Sequence, residues 1–310
     1  MTLLFCVPAL NPEPWLKAFR MLMPDLQVRV WPEIGDPADI DVLFTFRPPA
    51  GLVANLPRLK LLQVIGAGVD QLEGDPLPPN LPVARTVDSG LTAGMTEYVL
   101  AQVLYFHRQL DAYERFQREA TWQRLPRIEA RERKVGILGL GPIGTAVAEK
   151  VACFGFDIAG WSRSARNLPL VKTYAGDREF GTFLEGTSIL VNILPLTTET
   201  RGILSRAVFE QLAKGAYIIN VGRGAHCVLD DLLAALDSGQ LAGATLDVHD
   251  VEPLPPNSPL WGHPKIRITP HMASTASPSS AAAAVVENIR LVADGKPPLN
   301  AVDLRSSGAG

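Results

Sequence analysis

Three side chains of complementary chemistry follow one another late in the chain: Arg223, Glu252 and His271, at intervals of 29 and 19 residues. Each stands at or just after an apolar run that reads as a strand, over residues 216–222, 243–248 and 266–271. An imidazole exchanges protons near neutrality, and a carboxylate beside it favours the imidazolium and fixes the ring's orientation. A guanidinium grips carboxylate and carbonyl oxygens in a fork that lysine cannot copy. Together the three suit reduction of a carbonyl next to a carboxylate, where hydride reaches the carbon while an acid delivers a proton to the oxygen. Singly, each has an ordinary reading, as a loop cation, a turn acid ahead of Pro253 and a satisfied histidine after Pro270. His226, His249 and His263 fit no such constellation as well, although His226 and His249 lie close enough in sequence to support it from behind.

A reduction needs a hydride carrier, and the chain has a place for one. The strand Lys134-Val135-Gly136-Ile137-Leu138 breaks into Gly139-Leu140-Gly141-Pro142-Ile143-Gly144, after which Ile143, Val147, Val151 and Phe154 recur at helical spacing. In a dinucleotide site Gly139 permits the tight turn, Gly141 lets bare backbone approach a pyrophosphate, and Gly144 allows close helix packing, with the helix amides facing the phosphates. A second strand over residues 156–161 ends in Ser162-Arg163-Ser164-Ala165-Arg166, roughly twenty residues past the first glycine, where an NAD site places an acid. No acid stands there. Ser162 and Arg163 offer donors and positive charge for a 2′-phosphate, so NADP(H) is the expected cofactor and NAD(H) the alternative.

These residues need a frame, and strand–helix alternation supplies it. Apolar strands are predicted over residues 3–7, 28–31, 42–46 and 61–65, with a helix over 15–23; the last strand runs into Gly66-Ala67-Gly68-Val69-Asp70. The amides of Ala67, Gly68 and Val69 suit a small carboxylate, or form a plain loop. A long amphipathic helix is expected over residues 95–118, with Val99, Val103, Phe106, Leu110 and Tyr113 on one face, Glu97 in its first turn and His107 packed among aromatics. It is read as joining two domains. Residues 122–133 lack periodicity and are read as an arm to a partner subunit; residues 279–293 read as a helix returning to the first domain. Further strands at 189–195, 216–222, 243–248 and 266–271 put Pro195, Arg223, Asp247 and His271 at strand ends, which line the ligand crevice of a parallel sheet. The expected fold class is α/β, with two doubly wound parallel-sheet domains: residues 1–97 with 277–310, and residues 98–276.

A chain of 310 residues, 47% hydrophobic and 20% charged, suits two soluble domains. A net charge of −3 without a basic run argues against nucleic acid, and no uncharged apolar run reaches membrane-spanning length. Cys6, Cys153 and Cys227 are scattered, as expected of reduced thiols in a cytoplasm, and suggest neither a disulfide frame nor a zinc site. Residues 1–10 lack the positive region of a signal peptide and read as a first strand.

Four motifs in order carry a family likeness: Gly139-x-Gly141-x-x-Gly144; Asn220-Val221-Gly222-Arg223-Gly224; Leu246-Asp247-Val248 followed by Glu252-Pro253-Leu254; and Thr269-Pro270-His271. They resemble those of the D-isomer-specific 2-hydroxyacid dehydrogenases over nearly the whole chain. Gly66-Ala67-Gly68-Val69-Asp70, Trp161-Ser162-Arg163 and Ser258-Pro259-Leu260-Trp261 resemble the glyoxylate/hydroxypyruvate reductase A branch. The resemblance implies a flavodoxin-like substrate domain and a Rossmann domain closing on a 2-oxo acid, and a homodimer joined through the Rossmann domains. It implies Arg223 on the substrate and Glu252 with His271 as the acid pair. It places Asp247 and the loop of Val221, Gly222 and Arg223 at the nicotinamide end, and brings Pro142, Ile143, Leu194 and Pro195 to the dinucleotide. The implied activity is NADPH-dependent reduction of glyoxylate and hydroxypyruvate. A broader NAD-dependent D-2-hydroxyacid or phosphoglycerate dehydrogenase and a nucleotide-sensing corepressor are the alternatives. Phe46-Arg47 stands where this branch often has Trp-His, a departure that bears on the substrate pocket.

Overall fold

The computed structural model describes residues 1–72 and 76–302. Its elements in chain order are β1 (Thr2–Cys6), α1 (Glu13–Leu22), β2 (Gln27–Val30), β3 (Val42–Thr45), β4 (Leu61–Val64), β5 (Val83–Arg85), α2 (Ser89–His107), α3 (Leu110–Arg118), β6 (Lys134–Leu138), α4 (Pro142–Ala152), β7 (Asp157–Ser162), β8 (Lys172–Ala175), α5 (Gly176–Leu184), β9 (Ile189–Asn192), α6 (Arg206–Phe209), β10 (Ala216–Asn220), α7 (Leu229–Asp237), β11 (Leu241–Leu246), β12 (Ile266–Ile268) and α8 (Pro278–Ala293). The chain divides into two compact units, Met1–Leu91 with Thr275–Gly310, and Thr92–Ser274.

The first unit holds a five-stranded parallel sheet in the order β2-β1-β3-β4-β5, the flavodoxin-like arrangement. Strands buried on both faces must be apolar throughout, which is why β1, β3 and β4 are fully buried while β2, at the edge, is not. On one face Trp15 and Phe19 of α1 pack with Phe5, Phe44 and the α8 residues Ala281, Val285 and Ile289. Gln63 is the buried polar exception within β4: its Nε2 donates to Thr86 Oγ1 at 3.1 Å and its Oε1 accepts from Asn288 of α8 at 2.8 Å.

The second unit holds a seven-stranded parallel sheet in the order β12-β11-β10-β9-β6-β7-β8, with its strand order reversing between β6 and β9. That is the Rossmann order with one strand appended, and the reversal marks the ligand crevice. Val135, Ile137, Val147 and Val151 pack on one face with Val99, Val103 and Phe106 of α2; Leu138, Phe183, Leu190, Phe209 and Leu246 belong to the opposite core.

The structure departs from the sequence-based expectations in several places. The first boundary lies at Leu91/Thr92, ahead of residue 97, because the segment before it is tied to its own unit: Leu91 N–H donates to Asp88 Oδ1 at 2.9 Å, and a Cβ at Gly90 would meet Ser280 Oγ of α8 at 2.4 Å. The return lies at Ser274/Thr275. The expected single helix over 95–118 is two, broken at Gln109, whose φ is +55°, and it begins earlier, so Glu97 lies beyond the first turn. Phe154 falls past the end of α4 and is exposed. The elements β8, α5 and α7 lacked a sequence signal strong enough to name. Among the described residues no helix is long and apolar enough to cross a membrane, and no group of His, Cys, Asp and Glu could hold a metal ion.

Candidate functional site

Strands β10, β11 and β12 lie side by side, with Asn220 paired to Leu246 and Leu246 to Ile268. Arg223, Glu252 and His271 all leave this sheet at its carboxyl edge, each from a different strand. The loops are joined backbone to backbone at Gly224, where a Cβ would stand 2.0 Å from His249 C and 2.1 Å from Asp250 N. Only glycine lets the Arg223 loop lie so close to the loop that carries Glu252.

The imidazole and the carboxylate meet. His271 Nδ1 lies 2.7 Å from Glu252 Oε2, and Glu252 Oε1 accepts the His249 backbone N–H at 2.9 Å. Burial pushes the Glu252 carboxyl up, but the hydrogen bonds from His271 and the His249 backbone outweigh it and hold the group below its ordinary range. His249 moves the other way: burial lowers its pKa, which favours a neutral ring.

His271 itself has a φ of +52°, a left-handed conformation that a non-glycine residue adopts only when its surroundings impose it. Asp247 imposes it. Expected at the nicotinamide end, Asp247 is only 1% exposed and lies beneath the histidine loop. Its backbone carbonyl accepts the His271 N–H at 2.8 Å; Oδ1 accepts Met272 N–H at 2.9 Å and the Thr269 hydroxyl at 2.6 Å; Oδ2 accepts Ala273 N–H at 2.9 Å. Because the Thr269 proton goes to Asp247, Tyr98 must donate to Thr269 across their 2.6 Å contact. Burial pushes the Tyr98 phenol up to about 12, which keeps it in the donating form.

The glycine turn meets the geometric needs of a dinucleotide. Gly139 has φ +104°, outside the reach of other residues, and a Cβ at Gly144 would stand 1.8 Å from the Gly139 carbonyl oxygen, so α4 can approach the turn only without a side chain there. A Cβ at Gly141 would meet nothing within 4 Å; Gly141 and Pro142 are exposed and Ile143 half-buried at the start of the eleven-residue α4. At the end of β7, Ser162 Oγ donates to Ser164 O at 2.7 Å, and Arg163, Ser164 and Arg166 are exposed. Leu194 is buried and Pro195 exposed after β9; Val221 and Gly222 are buried after β10. In the other unit, Ala67, Gly68 and Val69 are half-buried at the carboxyl end of β4. There the Ala67 carbonyl accepts from Arg85 Nη1 at 3.3 Å and that of Gly68 from Gln71 Nε2 at 3.0 Å.

Sequence reasoning did not give roles to Asn192, Asn220, Thr269 or Tyr98, which fix the loops that carry the candidate residues. The available signal was an uncharged polar side chain closing an otherwise buried strand, as at Asn192 and Asn220, both fully buried.

Residues 100–273 match the family model of the D-isomer specific 2-hydroxyacid dehydrogenase NAD binding domain, and the chain is 42% identical over 310 residues to glyoxylate/hydroxypyruvate reductase A of Serratia proteamaculans, covering 98% of this chain and 99% of the relative. The chain belongs to the D-isomer specific 2-hydroxyacid dehydrogenases. Among solved structures of the family, that of Xanthobacter autotrophicus Py2 in complex with NADPH and MES superposes with a TM-score of 0.95 at 41% identity, covering 99% of each chain. The NADPH-dependent glyoxylate/hydroxypyruvate reductase of Sinorhizobium meliloti, in complex with NADP and sulfate, gives 0.93 at 35% identity, again over 99% of each chain. As a member of this family the chain is an NAD(P)-dependent oxidoreductase built on two parallel-sheet α/β domains.

Proposed function

We propose that this chain reduces glyoxylate and hydroxypyruvate to the corresponding 2-hydroxy acids, of D configuration where a stereocentre forms, with NADPH as reductant and His271 as general acid. The observation that carries the reading is the 2.7 Å contact between His271 Nδ1 and Glu252 Oε2, at the same sheet edge as Arg223. When bound, the reduced nicotinamide supplies the hydride. With Nδ1 turned to Glu252, Nε2 is the atom that hands its proton to the substrate oxygen, and Glu252 holds the ring in that orientation. Arg223 grips the carboxylate, a planar bidentate task suited to guanidinium. The amides of Ala67, Gly68 and Val69 are the groups of the substrate domain suited to a small carboxylate, with Met1–Leu91 and Thr275–Gly310 as the substrate domain and Thr92–Ser274 as the nucleotide domain. Asp247 serves by bracing the histidine loop. Gly139, Gly141, Pro142, Ile143 and Gly144 hold the pyrophosphate, with Leu194, Pro195, Val221 and Gly222 lining the remainder of the dinucleotide site.

Ser162 and Arg163 read the 2′-phosphate, and relatives solved with NADPH or NADP support the preference. The protein acts as a cytoplasmic homodimer: Trp122 is 97% exposed beside a groove lined by Tyr113 and Phe116, which suits burial against a second copy, and Cys6, Cys153 and Cys227 are free thiols.

The test is nucleotide oxidation followed with a panel of 2-oxo acids and both reduced cofactors. Glyoxylate and hydroxypyruvate with NADPH should give the highest kcat/KM. Turnover of a different 2-oxo acid with NADH in preference would put the broader NAD-dependent dehydrogenase in its place, and nucleotide binding without any turnover would favour a sensor.

A further inference from the structure

His226 is fully buried between the β9 and β10 loops and makes no proton transfer in the reaction described above. Three neighbours define its state. The Arg223 backbone N–H donates to His226 Nδ1 at 3.0 Å, and Asn192 Nδ2, 2.9 Å from the same nitrogen, is a second donor aimed at it. A nitrogen that accepts N–H groups carries no proton, so the ring's hydrogen is on Nε2, which donates to the Pro195 carbonyl at 3.2 Å. The assignment closes around the ring. Asn192 Nδ2 also donates to Asn220 Oδ1 at 2.9 Å, Asn220 Oδ1 accepts Gly222 N–H at 3.2 Å, and Asn220 Nδ2 donates to the Arg223 carbonyl at 3.0 Å. Arg223 is thus held at both its backbone N–H and its carbonyl. Gly222 allows this closeness, since a Cβ there would stand 2.8 Å from both Asn192 Nδ2 and His226 Nδ1.

We propose that His226 is a positioning residue for substrate binding: as a neutral imidazole protonated on Nε2, it supplies the acceptor that fixes the Arg223 backbone and so aims the guanidinium at the substrate carboxylate. This rests on the reading of Arg223 given under Proposed function. Loss of Nδ1 leaves the half-buried Arg223 N–H without that acceptor, whereas the Pro195 carbonyl keeps a second donor in the Thr200 hydroxyl at 2.8 Å. The acceptor, not the ring's bulk, is therefore the critical property.

Two variants separate these. In His226→Asn, Oδ1 takes the place of Nδ1 and retains the acceptor with less bulk; His226→Leu keeps the bulk and removes the acceptor. The expected result is a glyoxylate KM within about twofold of wild type for His226→Asn and raised about tenfold for His226→Leu, the effect of one lost hydrogen bond. A purely packing role predicts the reverse order, and His226→Leu matching or surpassing His226→Asn would overturn the proposal. Should His226→Leu fail to fold, His226→Asn decides alone, and a KM raised about tenfold there would refute it. Histidine-selective ¹⁵N NMR of the wild type, with 5 histidines to resolve, reads the tautomer without any activity. An unprotonated Nδ1 on His226 supports the proposal and a protonated one refutes it. Wild-type protein inert toward glyoxylate would instead refute the assigned reaction, and the tautomer would then decide whether His226 is the acceptor for Arg223.

Discussion

Gly224→Ala is the sharpest perturbation of the site that leaves every charged group in place. The new Cβ would stand 2.0 Å from His249 C, 2.1 Å from Asp250 N and 2.4 Å from His249 O, all backbone atoms, against the 3.4 Å at which ordinary contact begins. Relief requires the Arg223 loop and the Glu252 loop to separate by about 1.4 Å, the difference between 3.4 and 2.0 Å. A misplacement of about 1 Å between reacting groups costs roughly a hundredfold in rate, and overpacking of this kind costs about 1–3 kcal/mol in stability. We therefore expect kcat/KM for glyoxylate to fall about a hundredfold, with a modest loss in urea midpoint and NADPH binding retained but weakened by less than that factor, since the pyrophosphate turn at Gly139 and Gly144 lies on another strand while Val221 and Gly222 share the displaced loop. Steady-state kinetics beside urea unfolding and NADPH fluorescence titration make the comparison. A variant of normal stability and kcat/KM within threefold of wild type would show that the two loops need not be held together.

The pH dependence of stability and the choice of nucleotide follow from the same geometry. The Glu252 carboxyl is held below its ordinary 4.5, so its contribution is complete above that pH and is lost as the pH falls through the lower folded value; the stability gap between wild type and Glu252→Gln, measured by urea unfolding, should narrow on acidification below about pH 4.5, and a gap that widens would contradict the pairing. Arg163→Ala should raise the KM for NADPH about ten- to a hundredfold, as expected for loss of a hydrogen bond to a charged group, and leave that for NADH unchanged; equal effects on both would remove Arg163 from the 2′-phosphate.

Most of the frame was legible because a strand covered on both faces is apolar through most of its length, as β1, β3, β6, β9 and β10 are, and as β4 is apart from Gln63. β8 was not, since the edge strand Lys172–Ala175 is only partly buried and its composition is correspondingly mixed. The break between α2 and α3 was hidden for a different reason: apolar spacing runs through it, and the left-handed residue that makes it is a glutamine and not a glycine. Chemical complementarity and motif order made Arg223, Glu252 and His271 candidates, and the fold brings the last two into contact. The bonds of Asp247 to Thr269, Met272 and Ala273 were not readable, because the sequence does not show which loop an acid at a strand end will hold. His226 could be located near the site, but its tautomer depends on Asn192 and Asn220, which only the folded sheet brings to it.

The central claim is that the His271 imidazole, oriented by Glu252, delivers the proton. Single-turnover reduction of glyoxylate by NADPH in His271→Ala tests it directly, because the chemical step is then read apart from binding and release. The rate constant should fall by roughly 10²–10⁴, the usual worth of a positioned general acid, with nucleotide binding retained. A hydride-transfer rate equal to that of the wild type would contradict the claim.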